Sequence, residues 1–190
     1  VQKGTEITFA FSDNGYFEIT NGSAKNVVKK DSSDTEKVTV AGAVTVSKLN
    51  NYASTDDINK IVSDYDPENP KNDNGATKTT GATITKSGNT LNVVIDKSVT
   101  NWLDGTSVKN TGLMDLAKDL LVDNSVRVTF PDKSAVVIPM GTNQTGVMTA
   151  LKSNLSNLKL GETPITVTVT VENAASGASV EYYVNLSQAA

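Results

Sequence analysis

The sequence predicts an α+β protein: an antiparallel sheet built from hairpins, with about three amphipathic helices packed mainly on one face. Two patterns carry that prediction. Ile165, Val167, Val169 and Val171 alternate with Thr166, Thr168, Thr170 and Glu172, the period-2 signature of a strand with one buried and one wet face. Elsewhere apolar residues recur at helical spacing in three separate stretches. The strands arrive as adjacent pairs, which argues against a doubly wound β-α-β topology.

The elements come in this order. Ile7, Phe9 and Phe11 run into Ser12-Asp13-Asn14-Gly15 and return through Phe17 and Ile19, as a hairpin would. Val38, Val40, Val44 and Val46 mark another strand, or two around Gly42. Ser54 and Asp57 form a capping box ahead of Ile58, Ile61, Val62 and Tyr65, which fall on one helical face. Ile84, then Lys86-Ser87-Gly88-Asn89, then Leu91, Val93 and Ile95 spell a second hairpin. Leu113, Leu116, Ala117, Leu120 and Leu121 form a helical stripe. A third hairpin pairs Val126, Val128 and Phe130 with Val136 and Ile138 across Pro131-Asp132-Lys133-Ser134. Val147, Met148, Leu151, Leu155 and Leu158 form the last stripe, ending before Gly161. The strand at 165–171 then pairs with Val180, Tyr182, Val184 and Leu186.

A length of 190 residues suits one domain or two small ones. We expect a single domain, 1–190, with a long loop at 65–81 rich in Pro, Asn and Asp. The alternative is two subdomains, 1–66 and 80–190. Apolar residues at 37% and charged residues at 20% provide for a packed core and exclude global disorder. The first residue is Val1, which suggests a mature or excised chain.

The chemistry is narrowed by what is missing. The chain has no His, no Cys and a single Arg, Arg127. It therefore has no imidazole base, no thiolate and no Cys/His cluster for a transition metal. Phosphate-binding glycine loops are absent too. A net charge of −4 with scattered lysines excludes the basic footprint of a nucleic-acid binder. No apolar run approaches the ~20 residues of a membrane-spanning helix. No enzymatic activity is expected.

Two weak sites remain. The oxygen-rich run containing Asp64, Asp66, Asn72 and Asp73 could hold calcium, which prefers clustered carboxylates and carbonyls in a bent loop. It misses the EF-hand spacing, and no other cofactor is indicated. Planar aromatics can stack on sugars, and Trp102, Tyr16, Tyr65 and Tyr183 are the ones expected to face water. Trp102 and Tyr183 are the candidate ligand-binding residues. The paired acids Asp56-Asp57 and Asp115/Asp119 read as helix-start and surface charge.

The stretch Leu113 to Leu186 combines a helix entering Asp123-Asn124-Ser125, the hairpin Val126-Arg127-Val128-Thr129-Phe130-Pro131-Asp132-Lys133-Ser134, and a helix ending Leu158-Lys159-Leu160-Gly161 before a Thr/Val strand. In that order of elements it resembles the surface-layer (S-layer) proteins of Gram-positive bacteria, especially the clostridial low-molecular-weight subunits. The resemblance implies a non-enzymatic building block of an external lattice, sometimes an adhesin, and carries over no functional residue. The expected role is an extracellular structural protein of a surface layer or cell envelope, acting by self-association or contact with other envelope proteins. The alternatives are a pilus or fibre subunit using strand exchange, and a domain adhering to glycans or a host surface.

Overall fold

The computed structural model describes residues 1–68, 81–100 and 112–190. The chain forms two compact units, Val1–Tyr52 and Ala53–Ala190. The sequence suggests one domain, 1–190, or two subdomains, 1–66 and 80–190; the division between the compact units falls after Tyr52. The reason is the first helix, α1 (Thr55–Asp64), which packs into the C-terminal unit. Its Ile58 and Val62 are buried in the core of that unit, as is Tyr65 just beyond it.

The N-terminal unit is all β. Strand β1 (Glu6–Ala10) pairs antiparallel with β4 (Thr35–Thr39). Strands β2 (Gly15–Asn21), β3 (Ala24–Lys30) and β5 (Val44–Leu49) form an antiparallel sheet in the order β3-β2-β5. The expected hairpin between Ile7–Phe11 and Phe17–Ile19 is therefore not made. Phe11 instead exchanges backbone hydrogen bonds with the 33–34 turn, its N–H donating to Asp34 at 2.9 Å and its carbonyl accepting from Ser33 at 2.7 Å. Asn14 Oδ1 accepts from the Ser32 N–H at 2.6 Å. Alternation tells which face a side chain takes, not which strand lies beside it.

A small apolar cluster closes this unit: Phe11, Phe17 and Ile19 are buried, with Phe9, Val28 and Val38 against them. The Phe11 and Phe17 rings lie 4.7 Å apart. The 39–43 bend is clamped by Asn21, whose side chain donates to the Thr39 carbonyl and accepts from the Ala41 N–H. There Gly42 meets Gly22 so closely that a Cβ on Gly42 would sit 2.7 Å from the Gly22 Cα.

The C-terminal unit has one six-stranded sheet in the order β6-β7-β11-β10-β8-β9. Its strands are β6 (Ala82–Ser87), β7 (Thr90–Ile95), β8 (Ser125–Thr129), β9 (Ala135–Ile138), β10 (Ile165–Glu172) and β11 (Ser179–Gln188). The hairpins β6-β7, β8-β9 and β10-β11 form as expected. The sheet is not wholly antiparallel, however: β11 lies parallel to β7, from Tyr183 opposite Thr90 to Gln188 opposite Ile95. The last strand is thus in the middle of the sheet, joining the β6-β7 hairpin to the strands β10, β8 and β9.

One face of this sheet is mostly apolar. Ile84, Val93 and Leu186 share a row, and so do Val126, Val171 and Val180. Helices α1, α2 (Leu113–Leu120) and α3 (Gln144–Ser156) contribute Ile58, Leu116, Leu120 and Val147 to the same core. Fully burying a side chain such as Ile58 contributes roughly 2–3 kcal/mol. Helix α1 carries the expected capping box: Ser54 Oγ accepts from the Asp57 N–H, and Asp57 Oδ2 accepts from the Ser54 N–H. Helix α3 is capped by Asn143 Oδ1, which accepts from the Gly146 N–H at 2.8 Å. At the other end of α1, Lys86 Nζ reaches from β6 and donates to the carbonyls of Val62, Ser63 and Tyr65. A cation there complements the negative end of the helix dipole.

Candidate functional site

The opposite face of the six-stranded sheet is polar, and strand register orders it into rows. One row runs Ser87, Thr90, Tyr183, Thr168, Thr129, Ala135 across all six strands. The next runs Thr85, Asn92, Asn185, Thr166. In this second row Thr166 Oγ1 donates to Asn185 Oδ1 at 2.7 Å, and Asn185 Nδ2 donates to Asn92 Oδ1 at 2.9 Å. Thr, Asn and Tyr sit here because a wet strand face favours β-branched and aromatic residues that still carry a hydrogen-bonding tip.

Tyr183 is the aromatic of this face, 39% exposed on the central strand β11. Its hydroxyl donates to Glu181 Oε2 at 3.2 Å. That hydrogen bond, with the carboxylate's charge behind it, pushes the phenol above its ordinary pKa. Register adds Arg127 and Glu172 to the face, with Arg127 Nε 4.0 Å from Glu172 Oε1. Both are half exposed, so the pair contributes little to stability. Hydroxyls and amides in rows can bind by hydrogen bonds, and the aromatic can stack on an apolar patch of a partner.

The other candidates are dispersed. Trp102, Asn72 and Asp73 lie outside the described residues. Asp64 pairs with Lys60 one helical turn away, at 2.8 Å. Asp66 Oδ1 closes a tight turn by accepting from the Glu68 N–H. Among the described residues no group of three acidic side chains could hold a metal ion. Tyr65, expected to face water, is buried at 8% exposure, and burial pushes its hydroxyl well above the usual range. It falls on the same stripe as Ile58, Ile61 and Val62, so it accompanies them into the core. Tyr16 is half-buried, with its ring 4.5 Å from that of Tyr52 and Lys29 Nζ 5.6 Å from its centre.

Neither strand nor helix patterning foretells a further feature. Between the apolar sheet face and helices α2 and α3 lies a cavity of about 240 Å³. Leu91, Val93 and Val169 line it from the sheet, and Leu120, Met148 and Leu151 from the helices. Its polar boundary is the β6-β7 turn, where Lys86, Gly88 and Asn89 border it. Periodicity places side chains on faces but does not reveal how far two faces stand apart.

Comparison with family models, with curated proteins and with solved structures finds no match for this chain. Among the described residues, no helix is long and apolar enough to cross a membrane.

Proposed function

We propose that this chain is an extracellular structural protein of a surface layer or cell envelope and acts through protein–protein contact. One observation supports the reading best: the C-terminal unit presents a six-strand face of hydroxyl and amide rows. Such a face offers many weak, directional contacts spread over a broad area. Assembly surfaces use arrays of this kind, whereas catalysis concentrates titratable groups in a concave site. The absence of His and Cys from the sequence points the same way.

Electron microscopy and light scattering of the purified protein test this reading. Ordered sheets or large particles are expected, and Tyr183→Ala together with Thr168→Lys is expected to abolish them while the fold persists. A chain that remains monomeric at high concentration under all ionic conditions overturns the proposal.

Tyr183 favours a second reading, adhesion to glycans. An exposed ring flanked by the Asn92–Asn185–Thr166 row combines a stacking platform with hydrogen-bonding groups, the pairing that sugar recognition requires. Glycan binding by a persistent monomer, lost in Tyr183→Ala, would favour this reading over assembly.

A further inference from the structure

We infer that the cavity between the sheet and helices α2 and α3 is a binding site for the acyl chain of an anionic amphiphile. The inference goes beyond the proposed function and does not depend on it. Three observations carry it.

The first is size. The cavity, about 240 Å³, exceeds the ~150 Å³ at which an apolar protein cavity stays dry and takes up benzene. The second is the lining. Among the described lining residues Leu, Val, Ile, Met and Ala make up nearly all of it, from both the sheet and the helices, and they offer a bound group almost no hydrogen-bonding partner. A polar ligand would be desolvated there without compensation, while an alkyl chain would not. The third is the polarity of the edge. The cavity meets the β6-β7 turn, where Gly88 and Asn89 are exposed. Lys86 borders it there and is the only charged residue among the described lining residues. Its three donors go to backbone carbonyls of α1, which are dipoles and leave the positive charge in place. The chain of the ligand would lie between Val169 and Leu151, with its carboxylate or similar anionic head toward the turn. Packing of this kind is how bundles and sheet–helix layers hold small apolar ligands.

Calorimetric titration of the full 190-residue chain with decanoate tests the inference. One saturable site per chain is expected, with a negative heat-capacity change and a raised melting temperature. Decyltrimethylammonium, with the same chain and the opposite charge, is expected to bind about ten-fold more weakly or worse. Ala117→Phe fills the cavity from α2 and should lower decanoate affinity by about ten-fold or more without lowering the melting temperature. Val169→Phe does the same from the sheet, should the first variant fold poorly. Non-saturable binding, no heat at all, equal binding of the cationic amphiphile, or unchanged affinity in a folded filled variant would each overturn the site. Should neither variant fold, the melting curve of the parent chain decides: a saturable rise with decanoate supports the site, and no shift overturns it.

Discussion

The side-chain amide of Asn173 donates to Oδ1 of Asn124 at 3.0 Å, with the two residues 2% and 1% exposed. Each amide is used further. Asn173 also donates to the Asp123 carbonyl, and its Oδ1 accepts from the Ser176 N–H. Asn124 donates to the Leu120 carbonyl at 2.9 Å. The pair ties the end of α2 to the turn between β10 and β11. Removing one partner leaves a buried amide unsatisfied, the costly half of the hydrogen-bond balance. Asn173→Ala is expected to destabilise the C-terminal unit by about 2 kcal/mol in urea unfolding. A double-mutant cycle with Asn124→Ala should show coupling of about 1 kcal/mol. Additive losses would mean that the two amides do not act together.

Lys86 makes a second prediction. Lys86→Met keeps the aliphatic stem but withdraws the donor that three carbonyls at the end of α1 share. A loss of about 2 kcal/mol is expected, since charge-assisted hydrogen bonds and the helix dipole both act here. Hydrogen exchange should locate the effect, with faster exchange in the last turn of α1 and little change in β8 and β9. Uniform acceleration across the unit would contradict the assignment.

In the N-terminal unit the test is steric. A methyl group on Gly42 would meet the backbone of Gly22, which cannot swing aside as a side chain does. Gly42→Ala is expected to cost roughly 1–3 kcal/mol, as overpacking does elsewhere. Gly161→Ala meets nothing within 4 Å and serves as the neutral control. Equal melting curves for the two variants would show that the bend yields.

Alkaline pH gives a fourth prediction. Burial raises the pKa of both Tyr65 and Tyr182 above the ordinary 10.0. A phenol whose folded pKa is raised adds stability that is fully present below its unfolded pKa, and that stability disappears as the pH climbs through the folded value. The C-terminal unit should therefore weaken progressively above about pH 10. Phenolate absorbance should show a late-titrating component that shrinks in the Tyr65→Phe, Tyr182→Phe double variant, where Tyr183 still titrates late. Tyr182 donates to Asn59 Oδ1 at 2.6 Å, so its replacement also costs that bond. A single titration wave near pH 10 in the folded protein would refute the prediction.

Local signals in the sequence translated well into structure. The capping box at Ser54 and Asp57, the three helical stripes and the β6-β7, β8-β9 and β10-β11 hairpins depend on residues close together in the chain, and all are present. Outward placement of Tyr183 and inward placement of Tyr182 come from strand parity alone. Features that depend on distant partners were not legible. Strand β3 (AKNVVKK) is largely exposed, so it lacks the alternation that marks a half-buried strand. The β1-β4 pairing joins segments separated by two strands, and no turn residue signals such a jump. The parallel β7-β11 contact and the cavity arise from how layers stack. Of the candidate site residues, Tyr183 was legible because its side is set by its neighbours. Tyr65 was misjudged because an aromatic at the end of a helical stripe can continue the stripe inward.

The central position of β11 has a kinetic consequence. The β6-β7 hairpin can close as soon as it leaves the ribosome, but the strand it must dock against, Ser179–Gln188, is made about ninety residues later. Until then one hairpin edge stays open to whatever strand is nearby. Maturation of this unit is therefore a late, concerted event governed by long-range encounter. Cutting the chain before Ser179 would leave two half-sheets with no shared seam.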